Sequence, residues 1–268
     1  MRVTLLGTMG WMPDGHRETT CFASRSGRSL LVVDAGTGLR RLLEPAHAGL
    51  LDGVETVHLL LSHYHLDHVC GLAYLPGVLA GRTVVIHPPA EEITGVEPLA
   101  AIAGILRKPY NPVDLADMAT VRVEPIGAGP TEIAGHAVRL RAQDHSDVSV
   151  SFRLDDALVV ATDTPPDTAV PEFARGASLL LHEAWYWKDD PRLAAVPSVL
   201  RPGYASHSEA TAVGGLAAAA GVDRLVLVHL NPLAGEDSFA GMLAATRAVF
   251  ARTEVCADGT ELDTAEAG

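Results

Sequence analysis

The sequence predicts an α/β (α+β) protein in four layers: two β-sheets packed face to face, with helices on both outer faces. Two observations carry this. Short apolar runs of strand length, bounded by glycine, proline and small polar residues, recur along most of the chain. In both halves the strands come first and a helical stretch follows, and a sheet with an apolar face has to bury it against a second layer. At 268 residues the chain can bury a substantial core. We read it as one domain, 1–268, made of two β-rich halves of about 1–120 and 121–262.

The elements follow in order. Met1 to Gly7 is too short for a signal peptide and is a first strand. It ends in the glycine-rich loop Gly7-Thr8-Met9-Gly10-Trp11-Met12-Pro13, where Trp11 and Met12 form an apolar wall if the loop faces a site. Thr19 to Ala23 and Leu30 to Asp34 are the next strands. Ala35-Gly36-Thr37-Gly38 then permits a sharp turn into a helix from Leu39 to about Ala48. Asp34 is either a carboxylate that orients a metal-binding histidine or a turn residue. Val57 to Leu61 and Thr83 to His87 are buried strands. Residues 88 to 120 carry five prolines around an apolar helix, Leu99 to Leu106, the composition of a lid, with Arg107, Lys108 and Tyr110 as candidate substrate contacts.

In the second half, strands are expected near Val121–Glu124, Ala137–Ala142, Ser149–Leu154, Ala157–Ala161, Ser178–His182 and Arg224–Val228, with Asp155-Asp156 as a hairpin turn. Helices are expected from Glu209 to Ala220, stopped by Gly221, and from about Asp237 to Ala251. The small, polar tail from Thr264 should fray.

Composition excludes several classes. No run of eighteen apolar residues is present, so no membrane span is expected. Three cysteines (Cys21, Cys70, Cys256) at no metal-ligand spacing fit a reducing cytoplasm without disulfides. Cys70 is either a small buried filler or a soft extra ligand. Lys plus Arg number 20 against 33 for Asp plus Glu, a net charge of −13. Long nucleic acids need a basic surface, so they are not the expected partner.

The chemistry is concentrated in Ser62-His63-Tyr64-His65-Leu66-Asp67-His68, directly after an apolar strand. In extended chain His63 and His65 point the same way and can share one metal ion. Asp67 and His68 lie past the strand end, where the chain can turn them toward a second. Imidazole and carboxylate suit zinc, and also manganese or iron. Three more apolar strands run into a suitable residue at their ends: His145, Asp163 and His229.

His-x-His-x-Asp-His after an apolar strand resembles the signature of the metallo-β-lactamase superfamily of metal-dependent hydrolases. The resemblance implies two divalent metal ions, with His63, His65 and His145 on the first and Asp67, His68 and His229 on the second. Asp163 would bridge both, and a water or hydroxide between the ions would be the nucleophile. Leu181-His182-Glu183-Ala184, Ser206-His207-Ser208 and the stretch from Gly221 to Pro232 resemble the ribonuclease Z branch. Residues 1 to 13 and 34 to 40 resemble small bacterial cyclic-phosphodiesterase relatives.

Carried over, Asp67, His207 and Glu183 are the catalytic residues. His207 stabilises the transition state or protonates the leaving oxygen, Glu183 holds it, and the other reading of His207 is a helix-start residue. Two departures matter. Trp185 stands where the branch's His-Glu-Ala-Thr element has threonine. Asp163 follows His145 by only 18 residues, which leaves no room for the long arm that transfer-RNA-processing members insert there. The expected activity is hydrolysis of a small phosphodiester. The alternatives are a carboxylic ester, lactone, thioester or sulfate ester, or a non-catalytic metal-binding protein. Trp185, Tyr186 and Trp187 are expected to form a partly exposed wall against the substrate. Residues 16, 47, 58, 87 and 136 are histidines with no assigned role, and a homodimer is compatible with everything above.

Overall fold

A computed structural model describes residues 1–265. Fourteen strands form two seven-stranded mixed sheets. The first holds β1 (Arg2–Gly7), β2 (Cys21–Ser26), β3 (Ser29–Val33), β4 (Thr56–Leu60), β5 (Thr83–His87) and β6 (Val121–Val123). The second holds β7 (Thr131–Ile133), β8 (His136–Gln143), β9 (Ser149–Leu154), β10 (Leu158–Ala161), β11 (Leu179–Glu183), β12 (Arg224–Val228) and β13 (Thr253–Val255). The last strand, β14 (Glu261–Asp263), returns to the edge of the first sheet beside β1. The orders are β14-β1-β2-β3-β4-β5-β6 and β13-β12-β11-β10-β9-β8-β7.

Period-two alternation makes the four layers. On β3, Leu31 and Val33 join a core with Phe152, Val160, Leu181 and Val226 of the other sheet, so this core lies between the sheets. Their neighbours Leu30 and Val32 point the other way, onto Leu39, Leu42, Leu72 and Leu75. The second sheet mirrors this: Val159, Leu180 and Leu227 face outward onto Val213, Ala217, Phe239 and Met242 of the helices Ala210–Ala220 and Glu236–Arg247. Apolar residues on both faces of the central strands are what two covered faces require.

Most expected elements are present within a residue or two. The helix expected from Leu39 to Ala48 is instead a 3₁₀ segment, Thr37–Leu43. Glu44 precedes Pro45, which disfavours the α conformation, and Glu44 is extended (φ −74°, ψ 138°). Glu209 caps the helix Ala210–Ala220, its carboxylate accepting from Ala212 N–H, and Gly221 ends it at φ 65°. The tail expected to fray from Thr264 is docked at that residue, because Thr264 N–H donates to Met1 O (2.9 Å). Residues 266–268 lie outside the described residues. No helix among the described residues is long and apolar enough to cross a membrane.

Strands β3 to β6 run parallel to one another, and so do β10 to β13. The carboxyl ends of two parallel blocks therefore open on a shared edge. Asp34, Ser62, Asp163 and His229 each follow one of these strand ends within two residues. That edge is where ligand sites of open parallel sheets are found.

Candidate metal centre and active-site pocket

The structure brings together all seven residues expected as ligands. His63, His65, His145 and Asp163 form one group whose ligand-capable atoms lie within 4.8 Å of one another, and Asp67, His68 and His229 form a second. Asp163 stands between them. Its Oδ1 is 3.4 Å from His145 Nε2 and 3.3 Å from His229 Nε2, and its Oδ2 is 3.0 Å from His68 Nε2. A third group, Asp163, His207 and His229, also has ligand-capable spacing. Cys70 and the histidines at 16, 47, 58, 87 and 136 join none of these groups.

Neighbouring groups fix which ring nitrogen faces inward. Asp34, fully buried, accepts from Ser62 N–H (2.7 Å) and Ser62 Oγ–H (2.9 Å), and His68 Nδ1–H donates to it (2.8 Å). Because the Ser62 hydroxyl gives its proton to Asp34, His63 Nδ1–H donates to Ser62 Oγ (3.0 Å). His145 Nδ1–H donates to Ser206 O (3.2 Å), and His65 Nε2–H to the Asp147 carboxylate (3.2 Å). The Nε2 lone pairs of His63, His68 and His145 are thus directed at the cluster, and His65 is left with Nδ1. Of the two sequence readings of Asp34, the orienting carboxylate is the one the geometry matches.

Electrostatics favours the neutral form of His63 and His145 and the ionised form of Asp67 and Asp163. Burial holds His63 well below the ordinary imidazole value, and His68 adds to this against the opposing pull of Asp163. Burial also lowers His145. Burial works against charge on Asp67 and Asp163, yet the surrounding histidines outweigh it and keep both well below the usual carboxylate range. His68 moves the other way, because Asp163, Asp67 and Asp34 outweigh its burial. Among the described residues, His63 Nε2 and Asp163 Oδ2 are buried without a well-directed hydrogen-bond partner. Buried lone pairs and carboxylates that converge in this way repel unless a cation sits among them. The donor set therefore fits divalent metal ions.

Backbone geometry builds the same spot. Asp34 (φ 60°), Asp163 (φ 57°), His229 (φ 47°) and Trp11 (φ 60°) are all left-handed, a region that non-glycine residues rarely occupy. Trp11 N–H donates to Asp67 Oδ2 at 2.7 Å. A Cβ on Gly10 would lie 2.6 Å from His229 Nδ1, so only glycine lets this loop pass the ring.

Beside the cluster, His207 Nδ1–H donates to Glu183 Oε2 (2.8 Å). Burial opposes charge on His207, but Glu183 outweighs it and raises its pKa. Glu183, fully buried, also accepts from Thr164 N–H and, at 3.3 Å, from Ser208 N–H.

A cavity of about 520 Å³ opens over these residues, with His65, Asp67, His145, Asp163, His207 and His229 on its floor. Its apolar side is Trp11, Trp185, Val199, Leu200, Pro202, Tyr204 and Leu233, and among the described residues no Lys or Arg lines it. The expected lid is not there: no residue of 88 to 120 lines the cavity, and Tyr110 is exposed on the surface. Segment 199–204 takes that place. The apolar pair Val199-Leu200 between Pro197 and Pro202 was the available sequence signal.

The aromatic wall is also corrected. Only Trp185 of the three lines the cavity, and it is 6% exposed, stacked on His207. Tyr186 packs near Tyr204, and Trp187 packs over Gly241. Of the loop pair, Trp11 lines the cavity and Met12 does not. Sequence reasoning gave no part to Ser62, Gly10 or Asp147, whose roles depend on contacts across the fold.

Comparison with known proteins agrees with this architecture. Residues 30–230 match the family described as Beta-lactamase superfamily domain. A Ribonuclease Z of Mycobacterium sp. (strain KMS) is 33% identical over 251 residues, covering 87% of this chain and 85% of the relative. A Ribonuclease Z of Mycolicibacterium paratuberculosis is 31% identical over 270 residues, covering 91% and 92%. Among solved structures, the metallo-beta-lactamase fold protein YhfI from Bacillus subtilis superposes with a TM-score of 0.72 at 21% identity, covering 98% of this chain and 99% of that one. The short form of human tRNase Z gives 0.67 at 17% identity, covering 98% and 99%. With the fold, the ligand-capable cluster and these relatives in agreement, the chain belongs to the beta-lactamase superfamily and is a hydrolase of the metallo-β-lactamase fold.

Proposed function

We propose that this hydrolase cleaves a small phosphodiester. In this reading His63, His65, His145, Asp67, His68 and His229 hold two divalent ions with Asp163 between them, zinc or else manganese or iron. Bound ions would supply Lewis-acid polarisation of the ester and lower the pKa of a water. The remaining chemistry belongs to side chains of this chain. His207, with Nδ1–H tied to Glu183, has Nε2 as its remaining ring nitrogen and donates a proton from it to the leaving oxygen. Asp34 and Ser62 hold His68 and His63 in the required tautomers.

The observation that carries the choice of substrate is a cavity that no Lys or Arg of the described residues lines. A diester has one negative charge, which a metal pair can meet alone. A monoester has about two and usually recruits Arg or Lys. The apolar side of the cavity suits a compact ester with a ring or alkyl group.

The relatives named Ribonuclease Z favour a second reading, cleavage of RNA. It keeps the phosphodiester bond and changes the size of the substrate. The net charge of −13 and the 18-residue step from His145 to Asp163 weigh against a long RNA. The near-equal coverage of chain and relative means that those relatives are about as long as this chain. Three free cysteines fit a cytoplasmic setting.

The test is turnover by metal-loaded protein on bis-nitrophenyl phosphate, a cyclic nucleotide, nitrophenyl phosphate, a lactone, a sulfate ester and precursor transfer RNA. The two diesters should be cleaved, the monoester hardly at all and the RNA not. Faster turnover of the lactone or sulfate would replace the diester reading, and cleavage of the RNA would establish the second one.

A further inference from the structure

We infer that Trp185 is a positioning residue for His207, holding the plane of its imidazole. The inference rests on the reading of His207 as proton donor. The two rings stack with centroids 4.3 Å apart and planes 14° from parallel. Glu183 fixes His207 at a single atom, Nδ1. The last side-chain torsion of histidine is broad, so one hydrogen bond still lets the ring rock. A large flat surface against its face removes that freedom.

The stack is built into the backbone. Trp185 N–H donates to Ser208 O (2.9 Å), and Ser208 Oγ–H donates to Thr164 O (2.8 Å). The segments bearing the two rings are therefore tied to each other and to the strand end that carries Asp163. The indole is almost wholly buried, so its stacked face is spent on His207 and is not free for substrate.

The experiment compares Trp185→Ala, Trp185→Phe, His207→Ala and the Trp185/His207 double alanine variant at full metal content. Each is assayed on diesters with a nitrophenolate and with an alkoxide leaving group. Trp185→Ala should lose about 3- to 10-fold on the alkoxide, the worth of one aromatic stack, and about 2-fold or less on nitrophenolate, which hardly needs a proton. Trp185→Phe should recover most of the loss, and Trp185→Ala should add nothing once His207 is alanine. Equal losses on both leaving groups, additivity in the double variant, or Phe no better than Ala would overturn the inference.

If His207→Ala itself shows no dependence on the leaving group, the proton-donor reading fails and the inference falls with it. A leaving-group effect in His207→Ala without one in Trp185→Ala overturns the inference alone. The stack can also be observed without turnover. The His207 ring-proton resonance should lie upfield in the wild type and in Trp185→Phe, and move downfield in Trp185→Ala. An unmoved resonance also overturns it.

Discussion

Replacing Asp34 by asparagine separates the chemistry of this carboxylate from its backbone. Its φ of 60° would strain an alanine, but asparagine tolerates the left-handed region about as well as aspartate. The amide oxygen can keep the Ser62 N–H bond now made by Oδ1 at 2.7 Å. The amide NH₂ then faces two donors, Ser62 Oγ–H and His68 Nδ1–H, where Oδ2 accepted both at 2.9 and 2.8 Å. The serine hydroxyl can rotate and accept. His68 can accept at Nδ1 only by moving its proton to Nε2, where the metal needs a lone pair. Loss of an orienting partner typically weakens metal binding about 10- to 100-fold, roughly 1.4–2.7 kcal/mol. A competition titration of Asp34→Asn against a chromophoric zinc chelator measures this directly. A folded variant with wild-type affinity would show that Asp34 is only a turn residue.

Three further outcomes follow from the same geometry. Wild-type protein should carry two metal equivalents, and Asp163→Ala should fall well below that, because Asp163 approaches histidines of both groups; full occupancy by metal analysis would reject the shared position. Gly10→Ala should push aside the His229 ring and lose the ion held by Asp67, His68 and His229 while keeping the other. It should also cost about 1–3 kcal/mol in urea unfolding, and retention of both ions would count against it. Chelation should lower the midpoint of thermal unfolding by roughly 5–10 °C if the ions are held at about 100 times their Kd, and an unchanged midpoint would exclude tight binding to the folded state.

The seven residues that converge were legible because most of them follow closely on the end of an apolar strand, and Asp67 and His68 lie a few residues further on. Leu30 to Val33 was legible as a strand, and its unbroken apolar run matches the burial of both its faces. What escaped depends on approaches between distant segments. Whether 88–120 or 199–204 covers the cavity is decided by packing, and both contain proline and are partly apolar. Trp185 looked like a free surface because three adjacent aromatics cannot share one face. Its burial under His207 requires the cross-link from Trp185 N–H to Ser208 O. The strands β7, β13 and β14 span only three residues each, too short for periodicity to show.

The clustering of left-handed residues at the site has an energetic consequence. Asp34, Asp163 and His229 each turn the chain sharply as it leaves a parallel strand, and their side chains meet at the ligand-capable cluster. An L-residue in this region costs about 1–2 kcal/mol relative to ordinary backbone. In metal-free protein, glycine should therefore be the better of two truncations. Its chain-entropy disadvantage against alanine is only about 0.4–1 kcal/mol, which leaves roughly 0.5–1 kcal/mol in its favour. Urea unfolding of chelated Asp163→Gly against Asp163→Ala, and of His229→Gly against His229→Ala, measures the difference with the lost ligand held constant. Glycine more stable at both positions would locate strain at these two turns, held in place by the surrounding sheets. Alanine equal or better at both would mean that the turns are relaxed and that their geometry costs the fold nothing.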